Sequence, residues 1–310
     1  MRQAASGRRP VANSRRRLPR HLIARRRRAP RGRPRRTTPK RCLQVTAARR
    51  RSRHAADGLR PRLIPHVDAE DDTMRTGILI IGSLLWDNCQ REAWRRSRLH
   101  VDRKLHVKAP ICYGRRSQSR GNTFTMTLTG DASGTAVLVP CVSAILSVAG
   151  LVAEAAALWG AERAAEPSKS IGASWGSGGV LLATTVPAEW RAGWAAYFRS
   201  HASPLPPVDD AGTLRIAWPV TTVERRPANV DIILTTATKA EATRPTATEI
   251  SDAWVDQNDG HERYFFENIR HGIRTPDDRV IWKWIEDRKP RWLRDGTYAE
   301  AIALLRAETA

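Results

Sequence analysis

All 19 aromatic residues of this 310-residue chain, its 11 tryptophans among them, lie after residue 73. That asymmetry divides the chain before any element is assigned. Residues 1–73 hold 23 Lys and Arg against 5 Asp and Glu, a net charge of +18, whereas 74–310 hold 30 against 26, a net charge of +4. A segment with so much like charge and so few large apolar groups cannot bury enough surface to offset its ordering entropy. The expectation is a disordered Arg-rich segment over 1–73 and one folded domain over 74–310. The runs RRRR (25–28), RGRPRR (31–36) and ARRRSR (48–53) suit phosphate neutralisation, so nucleic-acid or other polyanion association is expected only if 1–73 is expressed. Two other readings stay open: an import peptide, or a start assigned upstream of the true one, since Met74 immediately precedes the first apolar strand.

The 237 residues from 74 onward suffice for a sizeable core without a metal or disulfide staple. The four cysteines (Cys42, Cys89, Cys112, Cys141) form no C-x-x-C pair, which speaks against a zinc site and suits a reducing compartment. No apolar run is long enough to span a bilayer and no signal core is present. A cytoplasmic protein without membrane partners is the expectation.

Hydrophobic periodicity outlines the elements. GILII (77–81) reads as a buried strand, REAWRRSRL (91–99) as a short basic segment and LHVKAPICYG (105–114) as one strand. TFTMTLT (123–129) and GTAVLVP (134–140) read as a hairpin joined by GDASG. A helix fits 147–166 with Ser147 as its N-cap. The glycine-rich GASWGSGG (172–179) reads as a loop bordering a pocket, and VLLATTV (180–186) as a strand. A helix over 187–201 begins at a proline and carries Trp190, Trp194, Tyr197 and Phe198 on one face. SPLPPVDDAG (203–212) is a loop, followed by strands over 214–223 and 230–236. Beyond that the pattern turns helical, with Gly272 closing one helix. Strands first and helices last predict an α+β fold: a small mixed β-sheet or barrel flanked by helices.

One acidic residue sits where the helix pattern calls for an apolar one. At 100° per residue, Val148, Leu151, Val152, Ala155, Leu158 and Trp159 form a stripe, and Glu162 falls on it. Glu154 falls on the opposite side, as a solvated charge would. Glu166 lies near the stripe but precedes Pro167. A carboxylate facing the core must be paired, hydrogen-bonded or beside a cavity. Either Glu162 borders a site, or the stripe has reached the helix end and the side chain meets solvent.

Together these segments resemble the gamma-glutamylcyclotransferase-like superfamily, its ChaC branch most. Ile81-Gly82-Ser83-Leu84, then Leu85-Trp86, stands where that family has Tyr-Gly-Ser-Leu after its first strand. Tyr113-Gly114-Arg115-Arg116-Ser117, then Ser119-Arg120-Gly121, is similar to the ChaC Gly-Arg, Ser and Arg-Gly pattern. Leu158 and Glu162 match the spacing of the family's helix glutamate, and YFFENIRHGI (264–273) is similar to its Tyr-containing helix ending in Gly-Ile. The resemblance covers most of 77–165 and 262–285, leaving an unaligned insertion near 166–250. Ile81 replaces the family tyrosine.

What the resemblance implies is an enzyme that releases 5-oxoproline from a small gamma-glutamyl metabolite. Glu162 would be the general base. The loop Gly82, Ser83, Leu84 and Leu85 would hold the substrate's carboxylate on backbone amides, and Arg120 would hold a second carboxylate. Proton transfer and orientation carry such a reaction, so no cofactor or metal is expected. The alternative is a non-catalytic relative that binds a small anion or a protein.

Overall fold

The computed structural model describes residues 74–88, 90–129, 133–163, 170–256 and 261–308. The Arg-rich segment and Glu166 lie outside the described residues. In chain order the elements are β1 (Thr76–Ile80), α1 (Gln90–Arg98), β2 (Leu105–Ala109), β3 (Ile111–Ser117), β4 (Thr123–Leu128) and β5 (Gly134–Pro140). Then come α2 (Val148–Arg163), β6 (Gly172–Ala173), β7 (Gly176–Leu182), α3 (Ala188–His201), β8 (Val220–Thr221) and β9 (Ile232–Thr238). Four helices finish the chain: α4 (Ala247–Val255), α5 (Arg263–Arg270), α6 (Asp278–Arg288) and α7 (Ala299–Ala307).

The fold is mixed α+β. Its main sheet runs β6-β7-β9-β1-β5-β2-β8, with two edges rather than a closed barrel. All neighbours are antiparallel except β1 and β9, which run parallel. The apolar run of β1 is explained by its place: it is central and every residue is buried, as expected of a strand covered on both faces. Helix α2 packs on β7 and β9 and is flanked by α1 and α3. On the other side of the chain's order, α4 packs against β4 and α6, and α5 against α7.

Local signals set several boundaries as expected. The Ser147 hydroxyl accepts from the Gly150 amide at 3.1 Å, capping α2. Pro187 precedes α3, whose Trp190, Trp194 and Phe198 are buried, with Tyr197 half-buried. Gly272 closes α5 with φ +77°, a conformation that favours glycine.

Strand partners differ from the expectation. Residues 105–114 are two strands, because Pro110 lacks the N–H that would continue a ladder. Residues 123–140 are not a hairpin: β5 enters the main sheet between β1 and β2, and β4 pairs with β3. The β3–β4 hairpin turns through Gly121 and Asn122, both left-handed (φ 63° and 62°). The glycine-rich stretch is not a loop but most of the β6–β7 hairpin, since Gly176–Leu182 pairs with β9 along its whole length. Of 214–223 only Val220–Thr221 is a strand, interrupted upstream by Pro219. Glu154 is not solvated. It is buried, and its Oε2 accepts from Arg98 Nη1 at 2.6 Å, because α1 covers the side of α2 that faces away from the sheet. The unaligned stretch 166–250 supplies β6, β7, β8 and β9, four of the seven strands of the main sheet.

Candidate functional site

Beyond β1 the chain leaves the sheet at Ile81 and turns. Leu85 N–H donates to Gly82 O (3.1 Å) and Asp87 N–H to Ser83 O (2.8 Å), folding 82–87 into a tight loop. Two arginines one helical turn apart on α1 hold it. Arg95, 6% exposed, donates through Nη1 to Leu84 O at 2.6 Å and to Asp87 O at 2.7 Å. Burial lowers the Arg95 pKa, an effect opposed by the Glu92 and Asp87 charges. Arg91 donates through Nη1 to Ser83 Oγ and Asp87 Oδ2, both at 2.8 Å. A third anchor is Trp86, whose Nε1 donates to Asn268 Oδ1 on α5 at 2.8 Å.

Arg91 also reaches the last turn of α2. Its Nε donates to Ala161 O at 3.2 Å and its Nη2 to Glu162 O at 3.3 Å, satisfying carbonyls that a helix end leaves without partners. The same Nη2 lies 3.5 Å from Glu162 Oε2. The other carboxylate oxygen, Oε1, accepts from Thr236 Oγ1 on β9 at 2.9 Å. Glu162 is thus held between α1 and the sheet, its side chain 20% exposed. Of the two open readings, the one that placed it beside a cavity matches its surroundings.

That cavity, about 300 Å³, is bounded by Glu162 and by Gly82, Ser83 and Leu84, with Arg120 on its wall. Its size suits a ligand of roughly dipeptide scale. Leu85 does not line it; its amide is spent on the turn and its side chain is buried in the core. That expectation is corrected because the turn that shapes the loop consumes the Leu85 donor. The amides of Ser83 and Leu84 donate to no protein group among the described residues. Arg120 is no loose surface arginine: its guanidinium lies 4.8 Å from the Tyr264 ring centre and 5.8 Å from that of Trp86, with Nη2 3.9 Å from Asp87 Oδ2.

Several groups at the cavity were not singled out as site residues by the sequence. Thr236 is an ordinary strand threonine until β9 is placed beside α2. Arg115 projects from the β3 bulge, and Trp175 stands at the β6–β7 turn. Arg91 and Arg95 share an i, i+4 spacing that would have flagged a common target. Tyr264 lies in a segment already marked by the resemblance. Its hydroxyl is packed so closely under the loop that a Cβ on Gly82 would come within 2.6 Å of it, so glycine is required there. The hydroxyl accepts from the Met126 amide at 3.1 Å, and burial raises its pKa. A phenol therefore does reach the Gly-Ser turn, from α5 rather than from position 81.

Among the described residues, Glu162 is the one acidic group that lines the cavity, and no Cys or His lines it. The side chains there can accept a proton, donate to anions and exclude water, and the Ser83 and Thr236 hydroxyls are engaged with Arg91 and Glu162. Among the described residues no three His, Cys, Asp or Glu side chains gather, and no helix is long and apolar enough to cross a membrane. The chain matches no family model, and neither a curated protein nor a solved structure matches it significantly.

Proposed function

We propose that the domain is a gamma-glutamylcyclotransferase-like enzyme that releases 5-oxoproline from a gamma-glutamyl compound. The observation that carries this reading is the meeting of Glu162 with the Gly82–Leu84 loop in one cavity, although nearly eighty residues separate them. In the reaction the substrate's α-amine attacks its own γ-carbonyl. The C–N bond to the leaving amine breaks and the five-membered lactam forms. Glu162 takes a proton from the attacking nitrogen and returns it to the departing one, so no group on the protein is consumed. The free amides of Ser83 and Leu84 receive the α-carboxylate, which holds amine and carbonyl in reach. The Thr236 hydroxyl and the Arg91 guanidinium orient the carboxylate that does the proton transfer.

The test is 5-oxoproline release by wild type beside Glu162→Gln over a panel of gamma-glutamyl compounds. Loss of about a hundredfold or more in a variant of unchanged Tm is the expected result. Equal release by both proteins would remove Glu162 from the mechanism.

A second reading is favoured by one detail. Both Glu162 oxygens already have partners, Thr236 and Arg91, which suits a fixed charge that recognises an ammonium without removing its proton. A folded protein that binds gamma-glutamyl compounds and releases nothing would be this non-catalytic relative.

A further inference from the structure

Three of the arginines on α1, Arg91, Arg95 and Arg98, lie on one stripe of the helix. Arg91 and Arg95 hold the Gly82–Asp87 loop. Arg98 does not line the cavity; it bonds Glu154 in the middle of α2. Arg91 bonds the far end of that same helix, at Ala161 and Glu162. Arg91 and Arg98 are seven residues apart on α1, as Ala161 and Glu154 are on α2, and that spacing is about 10 Å along either helix. The two helices run side by side in opposite directions, pinned by an arginine at each end of α1.

Little else decides how α1 lies. It is nine residues long, too short to be stable by itself. Among its described side chains only Trp94 and Arg95 are buried, so no apolar stripe fixes its rotation. Backbone bonds tie its end to the residues around the end of β5: Val142 N–H donates to Arg98 O at 2.8 Å and His100 N–H to Pro140 O at 2.9 Å. These bonds fix where α1 ends, not the direction in which it points from there. The Arg98–Glu154 pair is a poor source of stability. The Glu154 side chain is 9% exposed, and its Oε1 is buried without a hydrogen-bond partner among the described residues. Apolar groups of similar volume replace such a pair with little loss of stability. What they do not supply is one fixed direction.

We infer that Arg98 and Glu154 are a positioning pair: they set the direction of α1, and through Arg91 they hold the Gly-Ser loop and the Glu162 carboxylate in one arrangement. The kinetic consequence rests on the proposed reaction. The effect on the loop rests on the geometry of α1 and α2 alone.

Three proteins test this beside wild type: Arg98→Met with Glu154→Leu, Arg91→Gln, and all three substitutions combined. Amide hydrogen exchange reads the loop without any ligand. In the pair variant the Leu85 and Asp87 amides, bonded to Gly82 O and Ser83 O, should exchange about tenfold or more faster than in wild type. The β1 amides should be unchanged and Tm should stay within about 4 °C. Arg91→Gln should have the same effect on the loop, and the combined variant should add no more than about twofold, because both changes act through one side chain. Release of 5-oxoproline should follow the same pattern, with kcat/KM about tenfold lower in the pair variant. Loop exchange as in wild type, or losses that multiply in the combined variant, would overturn the inference. If the pair variant does not fold, Glu154→Gln keeps the shape and should give the same pattern at smaller size; wild-type exchange there overturns it equally. If wild type releases no 5-oxoproline, the reaction falls and the exchange rates alone decide the positioning.

Discussion

Two stretches that begin with glycine, one a Gly-Ser turn and one glycine-rich, border the same cavity and fold differently. Gly82–Asp87 is a clamped loop, whereas Gly172–Leu182 is a hairpin with an extended strand. In both, glycine is needed because something lies too close for a side chain: the Tyr264 hydroxyl at Gly82, and the Leu214 and Val208 side chains at Gly179, where a Cβ would come within 2.8 Å of Leu214. The difference is in where the backbone groups go. β7 finds β9 as a full-length partner, so its N–H and C=O groups enter a ladder. The 82–87 loop has no strand beside it. Its carbonyls go to Arg95 and to its own turn, which leaves two amides for a ligand. Composition does not decide which stretch pairs as a strand and which stays a loop; the backbone's available partners do.

Three substitutions would break or sharpen this contrast. Gly179→Val should act on stability alone. The added side chain meets two buried neighbours, so a loss of about 2 kcal/mol is expected, with catalysis per folded molecule unchanged. Denaturant midpoints and release rates measured together would show it, and a large loss of activity without a stability change would put β7 in the chemistry. Arg95→Met should act on both stability and function. It leaves the carbonyls of Leu84 and Asp87 without their donor, at a cost of about 1 to 2 kcal/mol. In the proposed reaction the loop receives the α-carboxylate, so its release should raise KM several-fold; an unchanged KM would mean that the loop keeps its shape without the clamp. Thr236→Val joins the two regions, since Thr236 sits opposite Gly178 in the β7–β9 register and donates to Glu162. Loss of one hydrogen bond, about 1 kcal/mol, should lower kcat roughly fivefold. An effect on KM alone would place the hydroxyl in binding instead of orientation.

Much of the site was legible because its main markers are local. A Gly-Ser turn after an apolar strand and a glutamate on an apolar stripe can be read from a short window, and Gly82, Ser83, Leu84, Arg120 and Glu162 do share a cavity. Leu85 failed because the turn takes up its amide, a detail of hydrogen bonding that spacing does not carry. Glu154 failed because helical periodicity assigns a side away from the stripe, not what covers it, and α1 with Arg98 covers it here. Nothing local marks Thr236 either, whereas Trp175 lies in the glycine-rich stretch and Arg115 in the Gly-Arg pattern that the sequence did single out. Thr236 reaches the cavity through β9, whose partners β1 and β7 are far away in the chain.

By itself, the sequence determined the quantities that depend on neighbours a few residues apart: the apolar run of β1, the Ser147 cap and stripe of α2, the proline that starts α3 and the glycine that ends α5. Tertiary structure alone decided which strands pair, that β5 leaves β4 to lie between β1 and β2, and that a glycine-rich stretch becomes a strand beside β9. The physical reason is the same throughout. Caps, turns and amphipathic periods are satisfied within one or two turns of chain. The ladders of β1 with β5 and β9 and of β7 with β9, and the contacts of Arg91 with α2 and of Arg98 with Glu154, are satisfied by groups fifty or more residues away, and their choice depends on the packing of the whole domain.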